Sequence, residues 1–151
     1  NTCRSPMAQA IARKVLADWL NVPEKQLEQA GYQVISAGTS TLGGSPAAAY
    51  AIEAVREYGA DLSAHRSRPL TQQLISQATV IFVMAQNHAD AVLAADPSAS
   101  DKVMLLDSHG DIEDPIGGEL ALYKNLARKI KGVIENRLAD RSLLGAGEVK
   151  K

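Results

Sequence analysis

The sequence predicts an α/β fold in which a parallel sheet is covered by helices on both faces. Three observations carry this expectation. Short apolar runs alternate with helical periodicity along the chain, the order that a parallel sheet with crossover helices requires. Residues 79–84 (TVIFVM) are apolar at every position after the first, as in a strand buried on both faces. The helical stretches keep their apolar residues on one stripe, as helices lying on a sheet must.

The elements follow in order. The opening Asn1-Thr2-Cys3-Arg4-Ser5-Pro6 leads into a helix, with Ser5 as a cap, Pro6 in the first helical position, and Met7, Ile11, Val15 and Trp19 recurring every four residues. A polar stretch containing Pro23 and Gly31 ends this helix near Leu20. Residues 32–36 (YQVIS) read as a buried strand, followed by a turn-rich segment to Gly44. Ser45-Pro46 repeats the cap-and-proline start, and Ala51, Ile52 and Val55 face inward until Gly59 stops the second helix.

Residues 61–69 form a polar loop holding His65, Arg66 and Arg68. Thr71 caps a short helix, with Leu70 and Ile75 placed to staple across the cap. After the strand at 79–84 comes a helix over about 88–95, a third strand at 102–106, and an acidic, glycine-bearing loop from 107 to 118. The last helix covers about 119–140, with Tyr123, Leu126, Ile130, Val133 and Ile134 on one face. The small, polar residues 142–151 are expected to fray.

Bulk properties narrow the function. With 151 residues the chain suits one domain with its own core. A net charge of -1 lacks the basic surplus of a nucleic-acid binder. No apolar run approaches the roughly 20 residues that span a bilayer, and no signal peptide opens the chain. The single cysteine, Cys3, excludes an internal disulfide and fits a reducing cytoplasm.

The opening hexapeptide carries chemistry. It puts an arginine and unpaired backbone N–H groups at a helix start, where dipole and amides favour an anion. Arg4 adds a planar fork that can grip two phosphate oxygens. Taken alone, an arginine before a helix is an ordinary solvated side chain. The acids Asp107, Asp111, Glu113 and Asp114 equally read as a solvated loop, and they lack the regular alternation of a calcium site. No metal site is expected.

Together these segments resemble the low-molecular-weight protein tyrosine phosphatase family. NTCRSPMAQA is similar to the second half of its phosphate loop, C-x-G-N-x-C-R-S-P, with Asn1, Cys3, Arg4, Ser5 and Pro6 matching position for position. Asp114-Pro115 stands where the family carries its general acid, because phosphate-ester cleavage needs a proton for the leaving group. Residues 36–39 resemble the turn after the family's second strand, and His65 a loop histidine that supports the phosphate loop. The resemblance covers about residues 1–140.

The resemblance implies a three-layer α/β/α domain over residues 1–141, with a four-stranded parallel sheet in the order 2-1-3-4. It implies a cytoplasmic phosphatase that acts on phosphorylated protein or peptide, with no nucleic acid, membrane or cofactor involved. Arg4 and Asp114 would be catalytic; Asn1, Thr2, Cys3, Ser5 and Ile116 would contact substrate. The nucleophilic cysteine would lie three residues before Asn1. Cys3 cannot replace it, since the family's arginine follows the nucleophile by six residues and Gln9 stands six after Cys3. Cys3 instead matches the family's second cysteine, or is simply a small buried thiol. A chain beginning at Asn1 would be inactive, with a slot left where the first strand belongs.

Substrate and chemistry leave alternatives. Ile116-Gly117-Gly118 replaces the tyrosines that flank a phosphotyrosine ring, and Thr2 replaces a bulkier aliphatic residue. Both features look like the protein-arginine phosphatase branch. A non-catalytic phosphate-binding module of the same fold is the competing reading. An arsenate reductase would need further cysteines after Cys3.

Overall fold

A computed structural model of the chain describes residues 3–39 and 43–140. The expected α/β architecture is present. Helices α1 (Arg4–Leu20), α2 (Ala49–Arg56), α3 (Gln72–Gln77), α4 (Gln86–Ala95) and α5 (Leu120–Ala139) surround strands β1 (Ile81–Val83) and β2 (Val103–Leu105). The strands are parallel, with Ile81 opposite Val103 and Val83 opposite Leu105. Among the described residues the sheet has these two strands.

Alternation along β1 produces the three layers. Val80, Phe82 and Met84 join a core with α1, α2 and α5, containing the fully buried Met7, Ile11, Leu16, Val55 and Ile130. Ile81 and Val83 point the other way, into a smaller cluster with Ile75, Ala89 and Val92 from α3 and α4. Side chains two apart share a face of a strand, so one short apolar run supplies both cores.

Several boundaries differ from expectation. Cys3, not Ser5, is the residue ahead of α1, and Met7 N–H donates to Cys3 O at 3.2 Å. Pro6 still fits, because the first helical N–H groups have no intrahelical partner. Helix α2 starts at Ala49 rather than at Ser45-Pro46: Pro46 forms an antiparallel bridge with Arg66, and Ser45 N–H donates to Ser67 Oγ at 3.0 Å. Helix α4 begins at Gln86 because Asp111, from a distant loop, accepts the Gln86 N–H at 2.9 Å.

Residues 32–36 do not form a ladder. Burial alternates there as in a strand, with Val34 and Ser36 inside, but the nearest pairing is the single parallel bridge of Gly38 with Pro69. The expected cap on α3 is present: Thr71 accepts the Leu74 N–H at 3.1 Å. Leu70 and Ile75 share one apolar cluster, as a staple requires. Among the described residues no helix is long and apolar enough to cross a membrane. Residues 142–151 lie outside the described residues.

Candidate active site

A cleft of about 190 Å³ opens at the start of α1. Cys3, Arg4 and Ser5 line one side, with Asp114 and Ile116 from the loop before α5 and His88 from α4. Ala37, Gly38 and Thr39 line the rim on the other side, while Ile35, Leu74, Ile75 and β1 make the deeper wall apolar. Residues separated by about the whole length of the domain thus meet at one helix N-terminus, where an anion is favoured.

The loop that carries Asp114 fixes Arg4. Arg4 Nη1 donates to Ile112 O at 2.8 Å, and Nη2 lies 3.8 Å from Asp114 Oδ2. The Arg4 side chain is 17% exposed and that of Asp114 50%, so the cation is held inside while the carboxyl faces the opening. Asp114 Oδ1 accepts the Ile116 N–H at 3.1 Å, which fixes the carboxyl against its own turn. Gly118 closes that turn through its N–H to Pro115 O at 2.8 Å. A Cβ there would stand 2.9 Å from the same carbonyl, so the turn into α5 excludes a side chain.

The acidic run divides into distinct jobs. Asp107 is buried, accepts the His109 N–H at 3.0 Å and lies 3.5 Å from Lys129 Nζ. The backbone hydrogen bond from His109 and the Lys129 ammonium hold its carboxyl below the usual carboxylate range against the cost of burial. Asp111 accepts the first N–H of α4, from Gln86. Asp114 is the member of the run that lines the cleft. Among the described residues no three His, Cys, Asp or Glu side chains group to hold a metal.

Two contacts were not anticipated from the sequence. Cys3 Sγ lies 3.5 Å from the Tyr123 hydroxyl, with either group able to donate. This contact and burial push the Tyr123 hydroxyl up to about 12. From the sequence Tyr123 reads as an ordinary core position of α5; its ring also meets Tyr50 edge-on, at 5.6 Å between centroids. His88 reaches the cleft from the first turn of α4. Burial, then the Arg4 charge, lowers its pKa, while Asp111 and Asp114 oppose the shift. The recurrence of a polar residue at a helix start gave no local sign of either role.

His65 lies outside the cleft lining. Its Nε2 is buried and has no hydrogen-bond partner in the structure, and burial together with Arg68 and Arg66 lowers its pKa. Asn1 and Thr2 lie outside the described residues. The structure therefore brings together Cys3, Arg4, Ser5, Asp114 and Ile116 of the residues singled out by sequence.

Comparison with known proteins agrees with this geometry. Residues 1–143 match the family described as low molecular weight phosphotyrosine protein phosphatase. The chain belongs to that family. It is 35% identical over 146 residues to a protein-arginine-phosphatase of Geobacillus stearothermophilus, covering 93% of this chain and 89% of the relative. It is 30% identical over 136 residues to an arsenate reductase of Staphylococcus aureus, covering 90% of this chain and 88% of the relative. Among solved structures it resembles a low molecular weight protein tyrosine phosphatase from T. tengcongensis, with a TM-score of 0.79, 31% identity and 92% of each chain covered. The family's three-layer α/β/α fold is the one seen here.

Proposed function

We propose that the protein is a cysteine-dependent phosphatase of phosphorylated proteins, favouring phosphoarginine over phosphotyrosine. The observation that carries this reading is the meeting of Arg4 and Asp114 at the N-terminus of α1. Arg4 and the helix amides bind the phosphoryl oxygens and stabilise the charge that develops on them. A cysteine thiolate three residues ahead of Asn1 attacks phosphorus, forming an S–P bond as the bond to the leaving group breaks. Asp114 gives its proton to the departing oxygen or nitrogen. The same carboxylate then takes a proton from water, which attacks phosphorus and releases phosphate and the thiolate.

Ser5 lines the cleft where a hydroxyl can hydrogen-bond the thiolate and keep it ionised. Cys3 is buried against Tyr123 and takes no part in the attack. The supporting role for His65 comes from the family resemblance; here its Nε2 is buried. Ile116 is 69% exposed at the rim, and no aromatic wall stands at that position to flank a phosphotyrosine ring. The preference for phosphoarginine rests on Ile116 and Thr2. An arsenate reductase would need a relay of further cysteines, and no cysteine follows Cys3 through Lys151.

The test is turnover of p-nitrophenyl phosphate. Protein extended upstream by an apolar strand ending in Cys-x-Gly should be active, its nucleophile Cys→Ser variant inactive, and its Cys3→Ser variant active. Robust turnover by a chain starting at Asn1, retained after Cys3→Ser, would overturn the reading.

A further inference from the structure

Residues 65–70 run beside the cleft in a tightly fixed strap. Ser67 N–H donates to Ser45 O at 2.7 Å, Gly44 N–H to Ser67 O at 2.7 Å, Gly38 N–H to Arg68 O at 2.9 Å and Leu70 N–H to Gly38 O at 2.9 Å. Bridges join Arg66 to Pro46 and Pro69 to Gly38. Gly43, at φ +97°, lies so close that a Cβ would stand 3.2 Å from Pro69 Cδ and 3.4 Å from Ser67 O. The strap cannot shift without breaking these bonds.

Its side chains alternate. Ser67 is buried at 4% exposure, while Arg66 and Arg68 on either side are exposed. Strand-like spacing sets the two arginines about 7 Å apart on one face. Arg66 Nη1 donates to the adjacent His65 carbonyl at 2.7 Å, a neutral acceptor that leaves the cation without an opposite charge among the described residues. Among the described residues neither guanidinium pairs with a carboxylate, whereas the exposed Arg56 pairs with Glu53 and Arg13 with Glu28. The strap ends at Leu70, which lines the cleft, and its bridging partner Gly38 lines the rim. Two positively charged side chains on a fixed backbone therefore stand near the candidate active site of a chain whose net charge is -1.

We propose that Arg66 and Arg68 form a docking ridge for acidic side chains flanking the phosphorylated residue of a protein substrate. The inference rests on the phosphatase reading and adds a substrate class to it. An extended peptide places alternate side chains at the same spacing as the two arginines, so carboxylates two residues apart can meet both at once. Fixing the backbone of the ridge in advance leaves only the side chains to be ordered in the encounter. Arginine forks also suit carboxylates geometrically.

The experiment uses the full protein with the segment ahead of Asn1. Phosphopeptides of one sequence carry Glu, Ala or Lys at alternate flanking positions, and both kcat/KM and binding by fluorescence anisotropy are measured. Exposed charge pairs are individually weak, so Glu peptides should exceed Ala peptides by roughly threefold to tenfold, with the gap closing as salt rises. Arg66→Glu with Arg68→Glu should reverse the order toward Lys peptides, and Arg66→Ala with Arg68→Ala should abolish it. Turnover of p-nitrophenyl phosphate should stay at the wild-type level in both variants. Equal binding of Glu and Lys peptides by wild type, or a preference that survives charge reversal, overturns the ridge while normal p-nitrophenyl phosphate turnover leaves the phosphatase reading intact. Absence of that turnover in wild type overturns the phosphatase reading, and the anisotropy series still decides the ridge.

Discussion

Arg4 and Asp114 approach to 3.8 Å although 110 positions separate them, and the Arg4 guanidinium also holds the backbone of Ile112 in the loop that bears the acid. The proposed phosphate clamp and the proposed proton donor are thus held against each other before any substrate arrives. Preorganisation of this kind is what makes charge stabilisation effective, because the groups need not reorganise during the reaction.

Asp114→Asn in the active, extended protein should lower kcat by roughly 10²–10⁴-fold, the usual scale of general acid catalysis. The loss should shrink for aryl phosphates with good leaving groups, which depart without a proton. Asp111→Asn is the control and should be mild, since the amide oxygen can still accept the Gln86 N–H. A uniform loss across leaving groups would mark Asp114 as structural.

Tyr123→Phe removes only the hydroxyl beside Cys3. Denaturant melts should show a loss of about 0.5–1.5 kcal/mol, the net worth of a typical hydrogen bond. Tyr123→Ala should cost more, about 3–5 kcal/mol, because it also leaves a cavity among buried residues. Equal losses from the two variants would show that the hydroxyl, not the ring, carries the stability.

Burial depresses both His65 and His88, aided by neighbouring arginines. The fold therefore holds them neutral while the unfolded chain binds protons more readily. Their contribution is complete above the ordinary histidine value of about 6.5 and is lost as pH falls through the lower folded values. Thermal melts between about pH 7.5 and 5.5 should show stability declining toward acid, and His65→Gln with His88→Gln should flatten that slope. An unchanged slope in the double variant would assign the decline to other groups.

Substrate choice can be read at Thr2. Extended wild type should have a higher kcat/KM on phosphoarginine peptides than on phosphotyrosine peptides, and Thr2→Ile should reverse the order. A pocket change of about one methylene is worth roughly 1–3 kcal/mol, or about 10–200-fold in discrimination. A wild-type preference for phosphotyrosine, with Thr2→Ile affecting both substrates equally, would overturn the phosphoarginine assignment alone.

Local signals made much of the fold legible. The apolar run at 79–84, the stripe from Tyr123 to Ile134 and the Thr71 cap all act through neighbours in sequence, so their patterns survive without tertiary information. What escaped depends on distant partners. The start of α4 is set by Asp111 from another loop, and Pro46 is drawn into a bridge with Arg66 instead of opening α2. Residues 32–36 have strand-like burial, but pairing belongs to two segments and cannot be read from one. In the cleft, the family resemblance pointed to Arg4 and Asp114, which the fold brings to within 3.8 Å of each other. It did not reveal that Tyr123 meets Cys3, because a tyrosine on an apolar stripe looks the same whether its hydroxyl finds a thiol or water.

The two apolar clusters on opposite faces of β1 give the cleft unequal jaws. Arg4 starts α1 and the Asp114 loop runs directly into α5, and these two helices interlock within the larger cluster. The facing wall, from Leu70 through Ile75, belongs to the smaller cluster on the other side of the sheet. Arg4 and the Asp114 loop are therefore both anchored to the larger cluster. Any breathing that admits or releases a ligand must come from the α3 side, so temperature or ligand should change amide exchange there before it changes the distance between the two charges.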